Sequence, residues 1–134
     1  MDRIKVRDKA MDVAEKYERK RGQFIRRVDK GKNGKFFGYD ILSKDRKIEV
    51  KGRTGADRFV QMNEENIEAF KDRKFWLYIV HFGKNDKCDQ IIALDKNTIE
   101  TGTHPTKKET KRKKSPRRQW EIRFWTEDPN QIFP

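Results

Sequence analysis

A chain of 134 residues, 33% hydrophobic and 42% charged, has room for one modest core and is too short for two comfortable domains. Its 34 Lys and Arg against 22 Asp and Glu leave a net charge of +12, a field that suits a polyanion such as DNA or RNA. The single cysteine, Cys88, excludes an intrachain disulfide and a CxxC zinc cluster, and no apolar run approaches a membrane span.

The segment from Asp2 to Arg21 places Ala10, Val13, Ala14 and Tyr17 at i, i+3, i+4 and i+7, with Ile4 and Met11 beside them, which predicts an amphipathic helix ending near Gly22. Its first ten residues are too charged for a secretory signal, so a soluble cytoplasmic protein is expected, or a nuclear one in a eukaryote. Phe24 to Val28 reads as extended, and Lys30 to Lys35, with Gly31, Asn33 and Gly34, as a basic loop. Phe36 to Leu42 and Lys47 to Arg53 are two extended runs joined by a connection of hairpin length, hence an antiparallel pair.

Asn63 is placed to cap a helix from about Glu64 to Lys71, with Ile67 and Phe70 inward. Lys74 to Phe82, KFWLYIVHF, is apolar throughout and predicts a central strand covered on both faces. Gln90 to Asp95 and Gln119 to Thr126 read as further strands, the second setting Trp120, Ile122 and Phe124 against Glu121, Arg123 and Trp125. Together these elements predict a mixed α/β sheet flanked by helices in one domain.

Between the last two strands, Thr101 to Arg118 reads as a flexible cationic arm. Lys107, Lys108, Lys111, Arg112, Lys113, Lys114, Arg117 and Arg118 against Glu109 supply +7 of the +12. Lysines and arginines clustered in this way displace counterions from phosphates and give salt-sensitive, sequence-independent binding to nucleic acid. Phe75, Trp76, Tyr78 and Phe82 belong in the core, whereas Trp125 is the better candidate for base stacking; His81, His104 and Cys88 show no metal-ligand spacing.

The chemistry concentrates in the hairpin. Alternate strand residues share a face, so Ile48 and Val50 point one way and Glu49 and Lys51 the other. With Tyr39 and Ile41 on the buried face, Asp40 joins Glu49 and Lys51. Two carboxylates are hard oxygen ligands of the kind Mg²⁺ or Mn²⁺ takes, the backbone carbonyl of Val50 adds a further oxygen, and Lys51 can orient water or stabilise charge on a phosphate. The competing explanation is a charged outer face with a weak Glu49–Lys51 ion pair.

The string GYDILSKDRKIEVKGRTG, then VQMNEENIEAF and FWLYIVHF, resembles the family named for the C-terminal part of the protein NO VEIN, over roughly Ala10 to Phe82. Two stretches depart from the family pattern: Met62 to Ile67, and the region after Asp95. That family is regarded as related to the PD-(D/E)xK nucleases. The resemblance therefore implies a restriction-endonuclease-like fold and a magnesium-dependent endodeoxyribonuclease site at Asp40, Glu49 and Lys51.

By the match of AEKYERKRG, Glu18 takes the place of the helix carboxylate that many such nucleases add to their metal site, with Glu15 as competitor. Relatives of this kind sit beside helicases or restriction-type ATPases, which implies such a partner. The alternative is a non-catalytic nucleic-acid-binding or assembly module. A homodimer would supply the two cuts that duplex cleavage needs, and RNA is not excluded as a substrate.

Overall fold

The computed structural model describes residues 1–29, 37–56, 58–101, 107–111 and 118–132, the side chains of 101 and 107–111 excepted. The chain opens with helix α1 (Arg3–Lys20), whose Asp2 side chain accepts from Lys5 N–H as an N-cap. Strands β1 (Ile25–Arg27), β2 (Ile41–Ser43) and β3 (Lys47–Thr54) follow, then β4 (Phe59–Met62), helix α2 (Glu64–Ala69) and strand β5 (Phe75–Phe82). After a short 3-10 turn come β6 (Cys88–Asp95), helix α3 (Lys96–Thr101), β7 (Lys107–Lys111), β8 (Arg118–Arg123) and β9 (Gln131–Ile132).

Six strands form one mixed sheet in the order β1-β2-β3-β5-β6-β9, and β4-β8-β7 form a second. Among the described residues only β3 and β5 run parallel, from Lys47 opposite Phe75 to Thr54 opposite Phe82. Parallel neighbours cannot be joined by a tight turn, so the chain must cross over. That crossover carries β4 and α2 onto one face of β3.

The apolar run of β5 is the expected central strand, and it feeds two cores. Tyr78, Val80 and Phe82 meet Ile41, Ile48, Val50 and α1 on one face. Phe75, Leu77 and Ile79 meet α2, α3 and the inner face of the second sheet on the other, where Trp120, Ile122 and Phe124 point inward as their alternation predicts. Tyr78 and Phe75 are among the largest fully buried side chains, so the aromatic residues of this strand are core. Trp76 is only partly covered, and the Arg46 guanidinium sits over its ring at 3.6 Å.

Several expectations change. The α1 stripe runs through Val6, Ala10, Met11, Ala14 and Glu18, while Ile4 is 67% exposed. The strand expected from Phe36 to Leu42 is ordered as a ladder only at Ile41–Ser43, since Gly38 adopts a positive φ. β4 and α3 have no counterpart in the expected elements. Within the stretch read as an arm, Lys107–Lys111 pair antiparallel with β8, so these residues are a strand that borrows its partner's edge. The basic loop of Lys30 to Lys35, His104 and the side chains of Lys107, Lys108, Lys111, Arg112, Lys113, Lys114 and Arg117 lie outside the described residues.

Gly22 and Gly38 share a left-handed backbone, φ +77° and +78°, but only Gly38 is crowded: a Cβ there would overlap the Glu65 carbonyl oxygen and press on the Ala69 side chain. Gly22→Ala is expected to cost about 1–2 kcal/mol, the left-handed penalty alone. Gly38→Ala adds overpacking of about 1–3 kcal/mol. Chemical denaturation of the two variants checks this, and equal losses would contradict the close packing of Gly38 on α2.

Candidate active site

Asp40 directly precedes β2, just beyond the Ile41–Ile48 pair that ends the β2–β3 ladder. The Asp40 backbone is held on both sides, its N–H donating to Ile48 O at 2.7 Å and its C=O accepting from Val28 N–H at 2.8 Å. Its side-chain Oδ2 accepts the Val50 N–H at 2.8 Å, an unusual duty for a strand carboxylate. The N–H and C=O of one strand residue point to the same edge, so the Val50 carbonyl also opens towards Asp40.

Glu49 is 6% exposed. It lies on the face that looks towards the second core, beside Leu77, its partner across the parallel ladder. The Asn66 side chain, 2% exposed, donates to Glu49 Oε2 and to the Gly38 carbonyl at 2.9 Å. Asn66 is itself fixed by a capping box, in which its Oδ1 accepts the Asn63 N–H at 3.0 Å and its own N–H reaches Asn63 Oδ1 at 2.9 Å. Gly38 comes close enough to α2 for these bonds only because it lacks a Cβ, a physical account of the glycine in the Gly-Tyr-Asp string.

Lys51 Nζ stands 4.0 Å from Glu49 Oε2, with its side chain 24% exposed. Gly52 follows because α1 lies directly above it: a Cβ would come within 2.8 Å of Val6 Cγ1 and 3.0 Å of Ala10 Cβ. Burial pushes the Glu49 carboxyl well above the ordinary range. Lys51 pulls in the other direction, Asp40, which is within hydrogen-bonding reach, pushes further up, and the Asn66 bond lowers it in part.

Asp40, Glu49, Val50 and Lys51 are thus brought together, and Glu18 is not. That expectation is corrected: Glu18 is fully buried on the opposite, α1-covered face of the sheet, where it accepts from the Tyr78 hydroxyl and from Arg21 at 3.0 and 3.2 Å. Arg46 lies 3.8 Å away and donates to the Tyr78 hydroxyl at 2.6 Å. Burial, and then Glu18 itself, raise the Tyr78 pKa. Two guanidiniums and a phenol satisfy Glu18, which ties the end of α1 to β5 instead of ligating a metal. Glu15 is no substitute, since it pairs with Arg19 at 3.0 Å and with Arg27 at 3.7 Å.

Arg118, the described end of the cationic stretch, turns back onto α2 and bonds Glu64 at 3.1 Å and Glu68 at 3.2 Å. Trp125 is half-buried, and its carbonyl accepts from Gln90 at 2.6 Å. Asn66 is the residue that the sequence did not yield. Its signal was present in the Asn63-x-x-Asn66 spacing of a reciprocal cap, but its reach to Glu49 depends on the crossover. Among the described residues no group of three or more His, Cys, Asp and Glu side chains is arranged to hold a metal ion.

The acidic pair opens into a cleft of about 1700 Å³ that Arg3, Arg7, Phe37, Lys51 and Arg53 also line. The fold and site define a mixed α/β domain with an acidic pair and a lysine at the mouth of a cleft. The chain matches the family described as Protein NO VEIN, C-terminal over residues 6–94, two thirds of its length, and belongs to that family. No curated protein and no solved structure matches it. Among the described residues no helix is long and apolar enough to cross a membrane.

A group whose pKa is raised by folding stabilises the protein fully below its unfolded value, about 4.3 for Glu, and loses that contribution as pH rises through the folded value. Glu49→Gln keeps the shape of the protonated form and removes this loss. In EDTA, thermal unfolding of the variant is expected at a higher temperature than that of the parent at pH 8, with the gap closing towards pH 4. A parent that is the more stable protein at pH 8 would contradict the buried, proton-sharing pair.

Proposed function

We propose that this domain is a metal-dependent nuclease that hydrolyses phosphodiester bonds of DNA, with a PD-(D/E)xK-type site in a restriction-endonuclease-like arrangement of sheet and helices. The observation that carries it is the convergence of Asp40 and Glu49, with Lys51 beside them, in a cleft that Arg3, Arg7 and Arg53 also line.

The donor set fits a divalent cation. Two carboxylates and the Val50 carbonyl are hard oxygens, and Mg²⁺ is commonly held by one or two carboxylates together with water and substrate phosphates. The Glu49 pKa is raised first by burial and further by Asp40, and a bound cation would compensate the carboxylate that burial disfavours. Such a cation supplies Lewis-acid polarisation of the phosphate and a lowered pKa for attacking water.

The chain's own groups do the rest. Asp40, anchored through Val50 N–H, and Glu49, anchored through Asn66, present their oxygens without reorganisation. Lys51 faces the cleft, where its ammonium stabilises charge developing on the phosphate and orients the attacking water. The basic segment around Lys107 to Arg118 supplies sequence-independent attraction to the polyanion. A helicase or restriction-type ATPase partner would deliver the substrate.

A second reading, a nucleic-acid-binding or assembly module without catalysis, draws support from Glu18, a third carboxylate held by Arg21, Arg46 and Tyr78 on the far face. The two are separated by incubating the protein with single-stranded, duplex and branched DNA in Mg²⁺ or Mn²⁺. Asp40→Ala and Lys51→Ala are each expected to lower the cleavage rate by about 100-fold or more, the scale of losing one preorganised charge-stabilising group. Cleavage that persists equally in both variants removes the site, and salt-sensitive binding without cleavage favours the module.

A further inference from the structure

We propose that the cleft accommodates an unpaired strand of nucleic acid, with one base stacked on Phe37 and another on the Arg53–Phe59 pair, on either side of the acidic site. The proposal rests on the nuclease reading for the identity of the scissile phosphate, but not for the binding itself.

Phe37 is 50% exposed and, unlike the more exposed Phe24, lines the cleft. Its ring lies 5.9 Å from that of Tyr39, tilted by 41°, and it lines the cleft three residues before Asp40. On the other side of Lys51, the Arg53 guanidinium sits 4.4 Å over the Phe59 ring and that of Arg123 5.8 Å from it. Lys51, Gly52 and Arg53 line both the main cleft and a smaller concavity of about 320 Å³ that runs on to Phe59 and Gln61. Lys51, Gly52 and Arg53 therefore form the wall shared by the cleft that holds Phe37 and the acidic pair and the concavity that holds Phe59.

The chemistry of those two platforms selects the occupant. A duplex buries the faces of its bases, so an exposed ring and a guanidinium lying flat on a ring offer it nothing beyond charge. An unpaired strand presents a π-face at every base, which stacks on aromatic rings and on guanidinium planes alike. Arg3, Arg7, Lys51 and Arg53 are the cleft residues that can meet the phosphates between the bases, set among Asp2, Asp29 and Glu65, which do not. Two platforms bracketing the carboxylates would draw the intervening phosphate down to Lys51, whose neighbour Glu49 is too deeply set to meet a phosphate at the surface.

The test uses the Asp40→Asn form of the full chain in EDTA. This substitution keeps an acceptor for Val50 N–H, lowers the charge of the floor and prevents metal-dependent turnover. By fluorescence anisotropy it is expected to bind a labelled oligo(dT) at least about tenfold more tightly than a duplex of equal length. Adding Phe37→Ser or Arg53→Gln is expected to weaken the single strand roughly 5- to 100-fold, the cost of one lost stack; Phe37→Ser leaves duplex binding unchanged, and Arg53→Gln, which also removes a charge, weakens the duplex less than the single strand.

Phe37 is half-exposed, so its substitution spares the core, and an unchanged unfolding temperature certifies each variant. Equal or tighter binding of the duplex overturns the proposal, as does parent-like single-strand binding by both folded variants. Failure of the nuclease reading looks different: the unsubstituted protein with Mg²⁺ leaves every DNA intact while the single-strand preference and its loss in the variants persist.

Discussion

The domain is organised around a buried glutamate with an aspartate beside it. Glu49 cannot remain at the edge of an apolar core unless its oxygens are satisfied, and an unpaired buried charge costs several kcal/mol. Asn66 and Lys51 meet part of that requirement. Each of them depends on something more distant. Asn66 depends on the crossover that the parallel β3–β5 pairing forces, its approach depends on a glycine at position 38, and the direction of Lys51 depends on Gly52 letting α1 lie flat on the sheet. The same arrangement that makes Glu49 costly underlies the cation site we propose.

The opposite face shows how the chain treats a carboxylate that is not held in this way. Glu18 is buried more completely than Glu49, yet it meets Arg21, Arg46 and the Tyr78 hydroxyl. Compensated by cations, it is a structural tie between α1, the β2–β3 turn and β5. The two buried acids of one sheet thus differ in what surrounds them, one neutralised by guanidiniums and the other left with another acid for a neighbour.

Much of this was legible in the residues. Strand alternation alone put Ile48 and Val50 on one face and Glu49, Lys51 and Asp40 on the other, and the apolar run at Phe75–Phe82 could only be a central strand. Asn63 was recognisable as a cap from its place before a helical pattern. What escaped depends on long-range pairing. β4 is four residues long with Gln61 exposed, α3 is one and a half turns of polar sequence, and Lys107–Lys111 become a strand because β8 offers an edge. Glu18 misled because a charge on an apolar stripe reads as the stripe's margin, and Arg46 is far along the chain. The family match covers α1 through most of β6 and so contains every residue of the acidic site, while β7 and β8 fall outside it.

The central claim, that Asp40 and Glu49 share a divalent cation in place of a proton, is tested most directly by growing crystals in Mn²⁺ and recording its anomalous scattering. A peak is expected between the two carboxyl groups, roughly 2.1 Å from an oxygen of each, the distance of an octahedral divalent site. Saturating Mn²⁺ with no peak there, and the two carboxyl groups still hydrogen-bonded to each other, would contradict it.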